Sequence, residues 1–213
     1  MAEQYDHGAL IDALAQEMQP VRRMAPVWQR LMFWAPLALG GGFLATRLLR
    51  RYALDWSSSH ALVSAANVAL SLTLGLAIFA AALSVSVAGG RMRGKGWIMG
   101  GIAAWLALMV LSIALSPRLW NVERGVGSYC FTFVLTAGLP MMLVAIAALR
   151  RSRSLHPERS LALAGAGIGF MAFGLLAFCH PAEMLLMDFL AHLLAALVLA
   201  LATVLAGRRF IRA

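Results

Sequence analysis

Six stretches of apolar sequence follow one another along this chain, each near the length that carries a helix across a bilayer, with most of the charges gathered between them. They run over residues 31–49, 61–88, 96–115, 129–149, 160–179 and 189–207. Crossing roughly 30 Å of hydrocarbon at 1.5 Å per residue takes about 20 residues, and without water every backbone group must be paired inside a helix. Composition agrees: 62% of the residues are hydrophobic, 13% are charged and the mean hydropathy is +0.80, too apolar for a soluble globule of 213 residues. The expected fold class is therefore all-α, a polytopic membrane protein with a bundle of six transmembrane helices and a short cytoplasmic N-terminal helix. Residues 1–30 form the N-terminal segment and residues 31–213 the transmembrane domain. The first run is interrupted by Pro36 and by Gly40, Gly41 and Gly42 and carries Arg47, while Trp34 and Arg30 suit an interfacial start.

Basic residues orient the bundle, because cytoplasmic segments accumulate Lys and Arg during insertion. With six spans and the N-terminus inside, 13 of the 18 basic residues fall on the inner face, and Arg47, Arg50, Arg51, Arg118 and Arg124 remain outside. Both termini are then cytoplasmic. Insertion and anionic headgroups account for the net charge of +9 without nucleic acid. No cleavable signal peptide is expected, since residues 1–20 lack an apolar core and carry Glu3, Asp6, Asp12 and Glu17 with no Lys or Arg. Leu10, Ile11, Leu14 and Met18 recur at helical spacing and Pro20 stops the pattern, which reads as one amphipathic helix. So short a helix orders only against something, either its own bundle or a partner.

Ser64, Asn67, Ser71 and Gly75 fall on one stripe of the second run, and Gly165 and Gly169 on one stripe of the fifth; small residues of this kind make helix-packing seams. Pro140 reads as a tolerated kink. The chain contains no HExxH, GxSxG or P-loop motif and no pair of intramembrane carboxylates, so it is not expected to be an enzyme.

The two cysteines carry the chemistry. Cys130 heads the fourth run and Cys179 ends the fifth, so six spans place both at the outer face. Cys179 runs into His180 and Pro181, His192 lies about three turns on, and Glu183 and Asp188 share the intervening loop. Thiolate and imidazole suit soft or borderline metals, and two thiols at disulfide distance bridge in an oxidising compartment. The plainer readings are a cysteine packed as a small apolar residue and a histidine capping a helix end. A different class of function uses the same residues: a small metal or solute transporter with Cys130, Cys179 and His192 as a transit site.

With these features the sequence resembles the NrsF-type membrane anti-sigma factors, negative regulators of an extracytoplasmic-function sigma factor, over nearly its whole length. The resemblance rests on the acidic amphipathic tail ending in Pro20, Val21, Arg22 and Arg23, six spans in matching order, Cys130 heading the fourth, the Cys179–His180 junction, His192 in the last span, and the closing Gly207, Arg208 and Arg209. Pro181 and Glu183 depart from the more acidic or polar run expected after the Cys-His pair. The resemblance implies a bacterial inner-membrane protein that holds its sigma factor at the cytoplasmic face and releases it under heavy-metal or oxidative stress. It implies Cys130 and Cys179 as sensing thiols with His180 and His192 as neighbouring metal ligands. It further implies Leu10, Ile11, Leu14, Arg22 and Arg23 as sigma-factor contacts, which the cytoplasmic loops Arg91–Lys95 and Arg150–Arg159 could share. No cofactor is required, a heavy-metal ion entering only as signal, and no direct contact with nucleic acid is implied.

Overall fold

The structure, a computed structural model, describes residues 7–17, 24–49, 61–115, 126–152, 154, 156–176 and 185–211. Over these residues the chain is all-helical: α1 (His7–Glu17), α2 (Val27–Thr46), α3 (Ala61–Val85), α4 (Lys95–Ala114), α5 (Val126–Arg150), α6 (Pro157–Leu175) and α7 (Leu186–Ile211), with no strand among them. Four of the helices, rather than the six expected, are long and apolar enough to cross a membrane: α3, α4, α5 and α7. This is a helical membrane protein. Helix α2 falls short because Arg30, Pro36 and three glycines dilute its apolar surface, and α6 because it opens on Glu158 and Arg159 and spends four positions on glycine.

Glycine is also why α6 lies at the centre of the bundle. A Cβ built on Gly75 of α3 would stand 2.9 Å from the Gly167 carbonyl oxygen and 2.8 Å from the Met171 nitrogen, so at this point the two backbones touch. On the other side of α6, a Cβ on Gly165 would stand 2.6 Å from the Ala200 Cα of α7, and one on Gly169 would stand 3.0 Å from the Ala196 Cβ. In lipid no hydrophobic drive joins helices, and such close approach supplies the dispersion and Cα–H···O contacts that do. The expected stripe behaves as a seam: Asn67, Ser71 and Gly75 are buried, and Ser71 accepts a 2.8 Å hydrogen bond from Trp105 Nε1 of α4. Residues 165 and 169 also form a seam as expected, facing α7.

The remaining helices lean on this pair. Helix α5 runs unbroken through Pro140, which packs against Gly41 of α2, and its Gly138 meets Leu199 of α7. Helix α4 is peripheral, with only Ile98, Trp105 and Met109 buried. Trp105 is the largest of them and lies edge-on to Phe170 and Phe173 of α6, each with ring centroids 5.1 Å away.

Gly75→Val should cost about 2 kcal/mol of stability, because overpacking here displaces backbone and not a flexible side-chain end. Gly100→Ala, whose Cβ meets nothing within 4 Å, should cost nothing. Loss of helicity on titration of detergent-purified protein with denaturing detergent measures both, and equal stability of the two variants would refute the α3–α6 contact.

Candidate functional site

Helix α2 runs antiparallel to α3 and α5, and α6 runs antiparallel to α3 and α7. Residue 30 of α2 reaches residue 83 of α3, and Arg151 beyond the end of α5 stacks over Trp34 of α2 at 5.2 Å. Gly174 of α6 lies on Leu72 of α3, and Gly207 of α7 on Leu161 of α6. The start of α2, the α3–α4 loop, the link from α5 to α6 and the end of α7 therefore gather at one end. That end holds Arg30, Arg91, Arg93, Lys95, Arg150, Arg151, Arg159, Arg208 and Arg209, while Arg47 is the one described basic residue at the other.

Arg30 organises the basic end. Although charged it is only 9% exposed, and it donates from Nη1 to the Leu83 carbonyl (2.9 Å) and from Nη2 to Ser86 Oγ (3.3 Å) and Ser152 Oγ (2.6 Å). All three acceptors are neutral. Leu83 lies in the last turn of α3, where the helix dipole presents partial negative charge to a cation. One side chain thus ties α2 to the end of α3 and to the α5–α6 link. Helix α1 precedes α2 in the chain, and its apolar Leu10, Ile11 and Leu14 are 59%, 64% and 55% exposed.

The opposite end carries the sequence-predicted ligands that the structure describes. Cys130 stands near the start of α5, which begins at Val126, but it is not exposed there: its side chain is 1% exposed, packed in the core. His192 is fully buried, its ring edge-on to Phe173 with centroids 5.5 Å apart. Asp188 belongs to the first turn of α7 and not to a loop, and it is buried one helical turn before His192. Both sit on the inward stripe that continues through Ala195, Leu199, Thr203 and Gly207. Helices α5 and α7 run the same way and meet at Gly138 and Leu199. Stepping back along each helix, eight residues to Cys130 and seven to His192, covers roughly 12 Å and 10.5 Å at 1.5 Å per residue, so the two groups share one depth. Cys179, His180, Arg22 and Arg23 lie outside the described residues, as does Glu183. Among the described residues no three His, Cys, Asp or Glu side chains group to hold a metal ion.

Sequence reasoning missed two residues that the structure makes central. Arg30 reads in sequence as an inner-face charge and an interfacial flank, although an arginine a turn into an apolar helix is costly unless bonded. Trp105 was passed over among apolar residues, although a buried indole N–H needs an acceptor, and Ser71 on the neighbouring seam supplies one. The fold and these two ends define a helical membrane protein with a basic end and a buried thiol and imidazole near the other. No family model, no curated protein and no solved structure matches the chain.

A buried thiol reacts only when its helix end opens. In a Cys179→Ser background, Cys130 should react with a small maleimide about a hundredfold more slowly in the folded protein than in denaturing detergent, the factor set by an opening free energy of about 3 kcal/mol. Equal rates in the two states would place the thiol at the surface.

Proposed function

We propose that this chain is a bacterial inner-membrane anti-sigma factor of the NrsF type, which holds an extracytoplasmic-function sigma factor at its basic, cytoplasmic end and releases it when Cys130 and Cys179 meet a heavy metal or an oxidant. In this reading α2 and α6 complete six spans, both termini are cytoplasmic, and residues 1–30 are the capture segment. The observation that carries it is α1: an amphipathic helix with Leu10, Ile11 and Leu14 each more than half exposed, preceding α2 in the chain and contributing nothing to the core. A helix this short gains its order from a partner that covers those side chains.

Release requires that chemistry at one end be felt at the other. Helices α5 and α7 supply the route, since each runs from the level of Cys130 and His192 to the basic end at Arg150 and Arg208. Moving the partner from 99% held to 99% free takes a bias of about 5.5 kcal/mol between the two states. Opening the start of α5 so that Cys130 joins Cys179, with His180 and His192, at a metal or in a disulfide would supply a bias of that order, because strong bonds form only in the open state.

The full-length protein in detergent should capture its sigma factor, and Leu10→Asp with Leu14→Asp should weaken capture at least about tenfold while the bundle stays folded. Cys130→Ser with Cys179→Ser should hold the sigma factor as before and fail to release it to heavy metal or oxidant. Capture unaffected by the aspartates would remove α1 from the interface, and release by the cysteine-free variant would remove the thiols from sensing.

A further inference from the structure

Where α2 begins, a groove of about 550 Å³ opens between Met24–Trp28 and the α3–α4 loop, and three guanidinium groups line it: Arg30, Arg91 and Arg93. Among the described residues no carboxylate lines it. Arg30 is the buried one, and three of the five N–H donors that a guanidinium carries are committed to neutral oxygens, so its charge meets no counter-ion among the described residues. A buried charge without an opposite charge is costly, and an anion in the groove relieves that cost. Arg91 and Arg93 are exposed on a loop that turns at Gly89 and Gly94, both at φ 74°, a left-handed conformation that favours glycine and returns the two arginines to the groove wall.

We propose that this groove binds the phosphate of an anionic phospholipid from the leaflet at the basic end. The walls identify a lipid as the source of the phosphate. Trp28, on the wall, is 63% exposed in the first turn of α2, and Trp97, outside the groove at the same end, is 89% exposed in the first turn of α4. Indoles at this position mark headgroup level, with the ring toward the acyl chains. Met24, Val27 and Val87 add an apolar side to a basic pocket, which suits a headgroup with glycerol attached better than a free ion. Guanidinium groups also match phosphate geometry with paired hydrogen bonds. This site depends on the protein being a membrane protein and not on what it captures.

The test uses the full-length protein purified in detergent, with phosphatidylglycerol, phosphatidylcholine or inorganic phosphate added singly and bound lipid read by native mass spectrometry. Phosphatidylglycerol should be retained over phosphatidylcholine, and Arg91→Ala with Arg93→Ala should weaken its retention about thirtyfold, the factor expected for two basic residues at a membrane surface. Arg208→Ala with Arg209→Ala removes the same charge from the same end outside the groove and should leave retention unchanged. Equal losses in the two double variants would reduce the effect to net charge and overturn the site. Saturable binding of inorganic phosphate without preference between the two lipids would assign the groove to a soluble anion and overturn it as well.

Discussion

Gly75 and Gly167 let two backbones meet, and the register of the bundle follows from that contact. Because lipid rewards no apolar burial between helices, a helix finds its place through distance-sensitive dispersion and weak polar contacts, which only small side chains permit. Helix α6 uses alternate glycines for this purpose: Gly167 faces α3, whereas Gly165 and Gly169 face α7. It is held on two sides and fixes the height of both neighbours. Helix α5 then takes its level from α7 through Gly138 and Leu199, which brings Cys130 to the depth of His192.

Polar contacts then select among arrangements that packing alone would tolerate. The hydrogen bond from Trp105 to Ser71 orients α4, and the three bonds from Arg30 bring α2, α3 and the α5–α6 link together. Each removes a buried donor from an environment without water, so losing the acceptor costs more than the bond itself is worth. Arg30 serves two ends at once: it closes the bundle at the basic end and leaves positive charge facing a groove.

Each of the six apolar runs coincides with one of the helices α2 to α7, because length and apolar content register directly in sequence, but helix ends differ by several residues from the runs. Arg30 falls inside α2, where it is bonded within the fold, and Asp188 inside the first turn of α7. The stripe of Asn67, Ser71 and Gly75 was legible because spacings of three and four share a face. Gly167 was not, since a single glycine offers no spacing to read. Depth along a helix can be read from hydropathy, whereas rotation about its axis cannot; the position of Cys130 at the head of its span is legible in sequence, and its burial against the neighbouring helices is not. Of the residues expected around it, His192 is at the same depth, and Cys179 and His180 fall outside the described residues. Exposure of Leu10, Ile11 and Leu14 agrees with the amphipathic reading, which left open whether the bundle or another molecule covers them.

Trp105 makes α4 unlike its neighbours. The other spanning helices are gripped along much of their length, while α4 buries Ile98, Met109 and one indole, inserted among Phe170, Phe173 and Phe189, and turns most of its surface outward. Sliding such a helix along the bundle, like spinning it, would pull the indole from its socket and break its bond to Ser71. Helix α4 is thus held chiefly at one level, and a thicker or thinner bilayer would meet a helix free to tilt about that point before it shifts.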